Sequence, residues 1–345
     1  MKNHESLHVM NPFFSVIIPC YNSWQYMTRG LFSLEQQTFK DFEVIIVDDC
    51  STDGTYSQLL NYQQNSDLSV VVLRNAQNAG PGVSRNYAIS QAQGLYIAFM
   101  DSDDWYENAL LQEVYNKIIE ESAEMVFYDF YRAYNANKKQ YIQATRPLKN
   151  AHSKTDFVAL SFDSLWSLCI KRDVFRYVKI SPLFNAEDVV TIPLLVNRVS
   201  RVAVLHKPLY NYLYRIDSLS TSKNRAIAES VLKAFSFLEE NLSNESVREA
   251  KEYRGVLLVL YGYVYKALQG GMASEEISHV VDCFIDKYPN FQSNKYLKFI
   301  PLRKRLFIQF AKFHLWLLLK IYIKIQDWLI SYPAKIRSYR ERDNG

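Results

Sequence analysis

The sequence predicts an α/β fold in which a parallel sheet lies between layers of helices and is followed by a helical C-terminal region. Four short apolar runs rich in β-branched residues are separated by segments with helical spacing. The runs are apolar on both faces, as expected of strands covered on both sides. From Asn224 onwards, apolar residues recur every three or four positions without turn signals.

The four strands are FFSVIIP at 13–19, FEVIIVDD at 42–49, LSVVVLRN at 68–75 and GLYIAFM at 94–100. Helices are predicted between the first two strands, at 23–37, and between the last two, at 79–93. Strands that alternate with helices form parallel sheets. Ligands bind such sheets beyond the carboxyl ends of the strands, so the residues directly after each run are the candidate site.

Helix-like and strand-like pieces continue to alternate from 105 to 222. They lie at 107–122, 124–134, 161–175, 184–199 and 201–215. We therefore predict a first domain over 1–222, with one half at 12–104 and the other at 105–222. A helical region over 223–345 follows, with the boundary near Lys223.

The composition excludes several classes of protein. Of the 345 residues, 48% are hydrophobic and 22% charged, which is typical of a globular protein and excludes a disordered chain. The four cysteines are far apart and form no CxxC pair, which argues against a zinc ribbon and a disulfide framework and favours a reducing cytosol. The first residues contain no basic stretch leading into an apolar run, so no secretory signal is predicted.

The acidic stretch FMDSDDWY, at 99–106, follows the fourth strand. Its carboxylates are hard oxygen ligands suited to Mg²⁺ or Mn²⁺, although Asp103 or Asp104 could instead cap the next helix. An EF-hand loop starting at Asp101 would need Gly at position 106 and Glu at position 112, where the chain has Tyr106 and Gln112. A phosphotransferase of the haloacid dehalogenase type is also disfavoured, because Asp101 does not open the domain.

Other strand ends carry groups suited to a nucleotide base. Asp49 could accept the N–H of a pyrimidine and Tyr21 could stack on its face, although the aspartates there could also serve a turn. The first glycine after the first strand is Gly30, so neither GxGxxG nor a P-loop occurs where a Rossmann or P-loop fold needs it.

Taken together, these motifs resemble those of family 2 inverting glycosyltransferases with the GT-A fold, of the type that builds bacterial cell-surface polysaccharides. The similarity runs through PxYN at 19–22, VDDCSTDGT at 47–55, NAGPGVSRN at 78–86, FMDSDD at 99–104, LWSLCIKRDVF, AEDVV and PLYNYLYRIDSLSTS. It covers roughly residues 12–222. It implies a GT-A nucleotide-sugar-binding sheet, in which 12–104 would be the nucleotide-binding half and 105–222 the acceptor half.

The resemblance implies roles for the residues that hold the donor. Tyr21 and Asp49 would bind a uracil-type base, Pro19 would line that pocket and Arg85 would lie beside the nucleotide. Asp101 and Ser102 would face the ribose or donor sugar. Contact with the diphosphate would come from Arg215. The main ligand of a Mn²⁺ or Mg²⁺ ion would be Asp103.

The resemblance also implies that Asp188 is the general base. A carboxylate at the start of a helix suits that task, because the helix dipole favours its ionised form, although capping of the same helix by Glu187 or Asp188 is the alternative. The chain departs from the family at two positions: Ala186 stands where Gly is usual before the ED pair, and Leu213 stands where many members carry Arg.

The C-terminal tail is basic and amphipathic. Residues 291–345 hold twelve Lys/Arg and three Asp/Glu, a net charge of +9, which leaves −5 for the rest of the chain. A helix is predicted over 306–330 with a narrow polar stripe of Lys312, Lys320, Lys324 and Asp327. We interpret 303–342 as a segment that lies on an anionic membrane surface, with packing on another protein surface as the alternative. No nucleic-acid partner is expected, because long aliphatic residues separate the basic ones.

The sequence thus predicts a metal-dependent hexosyltransferase. It would move a hexose from a UDP-sugar to a hydroxyl of a lipid-linked saccharide, as a peripheral protein at the cytoplasmic face of the membrane, in polysaccharide or capsule synthesis. The alternatives are a nucleotidyltransferase and a catalytically silent subunit that docks a partner enzyme on the membrane. Whether the chain forms a homo-oligomer stays open.

Overall fold

The chain separates into two units, Met1–Ile216 and Asp217–Gly345. The computed structural model describes residues 11–135, 138–183, 186–215 and 225–328. The predicted boundary near Lys223 lies outside the described residues.

Four parallel strands form one half of the sheet in the first unit. They are β1 Phe14–Cys20, β2 Phe42–Asp48, β3 Ser69–Arg74 and β4 Tyr96–Phe99. The connecting helices are α1 Trp24–Glu35, α2 Thr55–Asn65 and α3 Pro81–Gln91. Every residue of β1 and β2 is buried, which explains why these runs are apolar on both faces. The predicted parallel sheet is confirmed, in the order β3-β2-β1-β4.

The other half of the sheet makes it mixed. Its strands are β5 Trp105–Tyr106, β6 Met125–Ala133, β7 Lys139–Ile142, β8 Leu168–Lys171 and β9 Val202–Leu213. The helices that accompany them are α4 Leu110–Glu121, α5 Lys154–Leu160 and α6 Glu187–Arg198. Within the described residues the order continues from β4 through β8, β6 and β9 to β5. The inserted β8 is antiparallel to both of its neighbours, β4 and β6.

The strand order places a crevice between the ends of β1 and β4. From β1 the chain proceeds outwards to β2 and β3, and then returns to the other side of β1 as β4. Such a switch point is where α/β sheets bind ligands. Helix α1 packs closely there, because a Cβ on Gly30 would lie 2.6 Å from the carbonyl oxygen of Asp104. Glycine is the residue that permits this approach.

The second unit is helical in its described part, as the sequence predicts. Its helices are α7 Arg225–Asn241, α8 Arg248–Gly255, α9 Val264–Gln269, α10 Ser274–Lys287, α11 Leu302–Lys312 and α12 at 316–328. A π-helical stretch, Val256–Tyr263, joins α8 to α9. No helix among the described residues combines the length and apolarity needed to cross a membrane.

The prediction of one continuous tail helix is wrong. Helix α11 ends at Lys312, and His314 adopts a positive φ of 53° before α12 begins. Contacts with α10 hold this corner: the His314 ring lies 3.0 Å from Asp282, and the Trp316 indole donates to the Ser278 hydroxyl at 3.2 Å. Lys312 therefore lies on a different helix from the other lysines of the predicted stripe.

Asp327 lies on the same face of α12 as Lys320 and Lys324, and it accepts a hydrogen bond from the side chain of Gln269 within the second unit. The part of the predicted membrane segment beyond residue 328 lies outside the described residues.

Candidate active site

The residues that follow β4, Asp101–Asp104, form the acidic loop. Strand β9 fixes this loop through Asp104, whose carboxylate accepts from the Tyr210 hydroxyl and from the Leu213 amide, each at 2.7 Å. The Tyr210 hydroxyl in turn accepts from the amide of Asp101 at 3.0 Å. The expectation that Asp104 caps the next helix is wrong, since α4 starts at Leu110 without a side-chain cap.

Aromatic packing holds Tyr210 in position. The Trp166 ring stacks on Tyr210 at 4.6 Å and on Tyr212 at 5.5 Å between centroids. Each such pair contributes about 0.5–1.5 kcal/mol beyond its buried area. Burial raises the pKa of Tyr210 and also that of Asp104, for which the charges of Asp103 and Asp101 add to the effect. The hydroxyl therefore stays protonated and continues to donate.

Asp103, the predicted metal ligand, lies at the wall of an open cavity of about 350 Å³. The cavity is also lined by Gln25, Tyr26, Thr28, Arg29, Phe32 and Leu213. The Asp103 carboxylate is 18% exposed and lies 2.8 Å from Nε of Arg215, whose guanidinium stacks over the Tyr26 ring. Burial raises the pKa of Asp103, the Asp101 charge adds to this and Arg215 opposes it.

Asp103 fits a divalent cation whose coordination the donor completes. Among the described residues, no group of three or more His, Cys, Asp or Glu side chains converges on one point. A site for Mg²⁺ commonly has only one or two carboxylates and takes its other ligands from phosphate and water. The partly exposed carboxylate of Asp103, which already pairs with the Arg215 guanidinium, meets that requirement.

The predicted base-binding residues lie at the neighbouring ends of β1 and β2. Pro19 is buried within β1, whereas Tyr21, the residue directly after that strand, is 45% exposed. The buried carboxylate of Asp49 accepts at Oδ1 from the Asn75 side chain and the Ala79 amide, at 2.7 and 3.0 Å, and at Oδ2 from the Gly80 amide at 2.7 Å. Asp49 thereby fixes the loop that precedes α3, and its own amide donates to the carbonyl of Cys20.

Arg85 joins the acidic loop to the start of α6. Its guanidinium, which is 4% exposed, lies 2.7 Å from Asp101, 2.8 Å from Glu187 and 3.6 Å from Asp188. Burial lowers the pKa of Arg85, but the three carboxylates outweigh this and raise it above its ordinary value. Arg85 is therefore a permanent positive charge between the two sides of the site.

Asp188, the predicted general base, lies in the first turn of α6. One carboxylate oxygen, Oδ2, accepts from the Leu165 amide at 3.2 Å, and Oδ1 has no hydrogen-bond partner among the described residues. Burial raises the pKa of Asp188 and so does Glu187, while Arg85 lowers it. The capping interpretation is wrong, because no side chain caps this helix.

The backbone conformation of Ala186 explains why glycine is usual at this position of the family. It has φ 67° and ψ 21°, in the left-handed region, directly before α6. That conformation costs an L-residue about 1–2 kcal/mol, which glycine avoids. The turn into α6 therefore keeps the geometry that a glycine would permit, at some expense of stability.

Two further residues belong to this arrangement. Glu187, named above only as a possible cap of the helix, shares Arg85 with the predicted base, and its place beside Asp188 was the available signal. Tyr210 had no such signal, because its hydrogen-bond partners Asp104 and Asp101 lie 106 and 109 positions earlier in the chain. Ser102 is half-buried in the acidic loop.

Sequence comparison places the first unit among glycosyltransferases. Residues 15–178 match the model of the family "Glycosyl transferase family 2". Over 240 residues the chain is 28% identical to TarS of Staphylococcus aureus, a poly(ribitol-phosphate) beta-N-acetylglucosaminyltransferase, covering 69% of this chain and 42% of TarS. It is 25% identical to the glycosyltransferase GlyG of Streptococcus pneumoniae, covering 66% of this chain and 79% of GlyG. The chain thus spans less than half of TarS.

Solved structures show the same fold. Residues 1–349 of S. aureus TarS in complex with UDP-GlcNAc superpose with a TM-score of 0.58 at 21% identity, covering 93% of this chain and 92% of that one. The mannosyltransferase PcManGT of Pyrobaculum calidifontis, in complex with GDP-Man and Mn²⁺, gives a TM-score of 0.55 at 13% identity, with coverages of 92% and 88%. The predicted resemblance is confirmed at the level of these matches: residues 15–178 fit the model of glycosyl transferase family 2, and the chain shares the GT-A fold of the solved structures.

Proposed function

We propose that this protein is a metal-dependent, inverting glycosyltransferase that moves a hexose from a UDP-sugar to a hydroxyl of a saccharide. The observation that carries the proposal is the convergence at the switch point of the sheet. The guanidinium of Arg85 lies 3.6 Å from Asp188, in the acceptor half, and 2.7 Å from Asp101, in the nucleotide-binding half. Inverting transfer needs a carboxylate on the acceptor side that takes the hydroxyl proton, placed within reach of the bound donor.

In this proposal the donor lies across the ends of β1, β2 and β4. Tyr21 stacks on the base above Pro19, and Asp49 accepts its N–H at Oδ2, which accepts one hydrogen bond from Gly80, whereas Oδ1 already accepts two. Asp101 and Ser102 face the ribose or the sugar. Arg215 contacts the diphosphate, beside a Mn²⁺ or Mg²⁺ ion held by Asp103. The ion would supply positive charge to the departing diphosphate.

Asp188 performs the acid–base step. As the acceptor oxygen bonds to the anomeric carbon, the bond to UDP breaks on the opposite face, which inverts the configuration. The hydroxyl proton passes to Asp188, and UDP leaves with the electron pair. Because the pKa of Asp188 is raised, the base is ionised only at a pH above the usual pKa range of a carboxyl group. Transfer should therefore slow as the pH falls through that raised pKa.

Binding of the donor is tested by thermal unfolding with nucleotides and Mn²⁺. A ligand at a hundredfold excess over its Kd stabilises the folded state by about 2.7 kcal/mol. We expect UDP to raise the melting temperature by several degrees, and GDP and AMP to raise it less. A larger shift with GDP, or none with UDP, would contradict the assignment of the base. Release of UDP from UDP-sugars, with and without saccharides, would then identify the donor.

We also propose that the second unit binds an anionic membrane surface and that the acceptor is lipid-linked. Five exposed apolar side chains of α12 support this: Leu317, Leu318, Ile321, Ile325 and Trp328. At about 100° per residue they fall within an arc of about 100°. The buried Leu319 and Ile323 lie on the opposite side of the helix.

The charge around this apolar face favours lipid over another protein. Lys320 and Lys324 are exposed along its border, and Arg303 and Lys304 belong to the basic run of α11. Lysines beside an apolar face are typical of helices that lie in a membrane interface. Attachment of this kind would hold the protein at the cytoplasmic face of the membrane, close to a lipid-linked saccharide that grows into a cell-surface polysaccharide.

The membrane proposal is tested by flotation with vesicles. Wild-type protein should float with anionic vesicles at low salt and less so at high salt, because the lysine contribution is screened. Leu317→Glu with Ile325→Glu should reduce the bound fraction at least tenfold, since each leucine or isoleucine contributes about 1.5–3 kcal/mol when fully buried.

The matched control is Ile119→Glu, at a residue of α4 that is 58% exposed and lies outside the second unit. It should float like wild type. Absence of flotation at any salt concentration, together with a dimer that the double variant splits, would show that the face binds a second copy and not lipid.

A further inference from the structure

The guanidinium of Arg85 is already occupied by the protein's own side chains. It lies within a cage of three carboxylates contributed by two separate parts of the chain, Asp101 from the acidic loop and the Glu187–Asp188 pair from α6. Its side chain is 4% exposed. Both terminal nitrogens face carboxylates, and Nε, which has no partner among the described residues, is buried. A donor phosphate would therefore have to displace one of these carboxylates to reach the guanidinium, so the cage favours an indirect role.

The cage sets the position of Asp188 relative to the donor. The terminal nitrogen of Arg85 that contacts Glu187 also faces Asp188, and the other terminal nitrogen contacts Asp101. The guanidinium is planar and rigid, so its contacts to two sides of the site fix the distance between them. The Leu165 amide holds the other oxygen of Asp188, which leaves the carboxylate little freedom to turn.

We propose that Arg85 is a positioning residue that orients the general base and keeps it ionised, and that it acts on transfer and not on nucleotide binding. This inference rests on the proposed function. The charged groups that face Asp188 are Glu187 on its own helix, Arg85 on α3 and Asp101 after β4. Two of these three are carboxylates, so Arg85 is the sole charge among them that favours the ionised base.

A neutral residue at position 85 separates this role from a merely structural one. Loss of an opposite charge within 4–6 Å changes a carboxyl pKa by about 1–3 units. In Arg85→Gln the pKa of Asp188 rises, so the acid limb of the kcat profile should move to higher pH by about one unit or more. At neutral pH kcat should fall at least tenfold and should recover at higher pH. Affinity for UDP should stay within about threefold of wild type.

Two further variants complete the test. Arg85→Lys keeps the charge and should leave the acid limb within about half a unit of wild type, with kcat lowered because one ammonium group cannot span three carboxylates. Glu187→Gln removes a like charge and should move the acid limb to lower pH. If Arg85→Gln does not fold, this opposite shift carries the test.

An acid limb that does not move in the folded Arg85→Gln or the Glu187→Gln variant would overturn the inference. Loss of UDP affinity in proportion to kcat would do the same, since Arg85 would then act on the donor. Failure of the proposed function looks different: wild type would transfer no sugar at any pH, so no acid limb would exist to compare.

Discussion

Replacement of Asp188 by asparagine is expected to lower sugar transfer by about 10² to 10⁴, the usual contribution of a general base. Asparagine preserves the size of the side chain and can still accept from the Leu165 amide. It cannot take a proton from the acceptor hydroxyl. Calorimetry should find UDP bound to this variant with wild-type affinity, because the substitution lies on the acceptor half of the first unit.

The matched control for that experiment is Asp173→Asn. Asp173 is an exposed aspartate that pairs with Arg176 on the surface. The Asp173→Asn variant should transfer sugar at the wild-type rate. If Asp188→Asn keeps more than a tenth of wild-type turnover, the base must be a different residue.

Replacement of Asp103 by alanine is expected to abolish transfer and donor hydrolysis that depend on a divalent cation. The carboxylate is the group proposed to connect the protein to the ion, and alanine offers no ligand. Chelation of wild-type protein with EDTA should have the same effect, and added Mn²⁺ should reverse it in wild type only. Turnover with and without Mn²⁺, measured for both proteins, provides the comparison.

The folding of the Asp103→Ala variant has its own check. Because Asp103 pairs with Arg215, its loss leaves a half-exposed guanidinium that water can solvate, so the melting temperature should change little. A variant that is stable, keeps wild-type transfer and still responds to EDTA would place the metal on another residue.

The parallel half of the sheet could be predicted because its signals are local. Each of β1, β2, β3 and β4 is a mostly apolar run. Burial on both faces explains that pattern for β1 and β2, whereas β3 lies at the edge of the sheet and is only partly buried. Strand β8 shows the limit of such reasoning. Its four residues pair antiparallel between β4 and β6, and only strands distant in the chain determine that direction.

Within the candidate site, the sequence indicated which residues gather but not what each one contacts. Asp101 and Asp103 could be assigned to a strand end, whereas the partners of Asp104 come from β9, which no short-range pattern reveals. The tail follows the same rule. The apolar periodicity of 306–330 continues through His314, so only the contacts with Asp282 and Ser278 of α10 explain why the helix breaks there.

The link from Tyr210 to the acidic loop has a consequence for the smallest part of the chain that can hold a donor. Residues 15–178, which match the family model, end before β9 begins. In such a fragment the carboxylate of Asp104 would lose both of its hydrogen-bond donors, the Tyr210 hydroxyl and the Leu213 amide. During synthesis on the ribosome, the acidic loop can therefore reach its final form only after residue 213 has emerged.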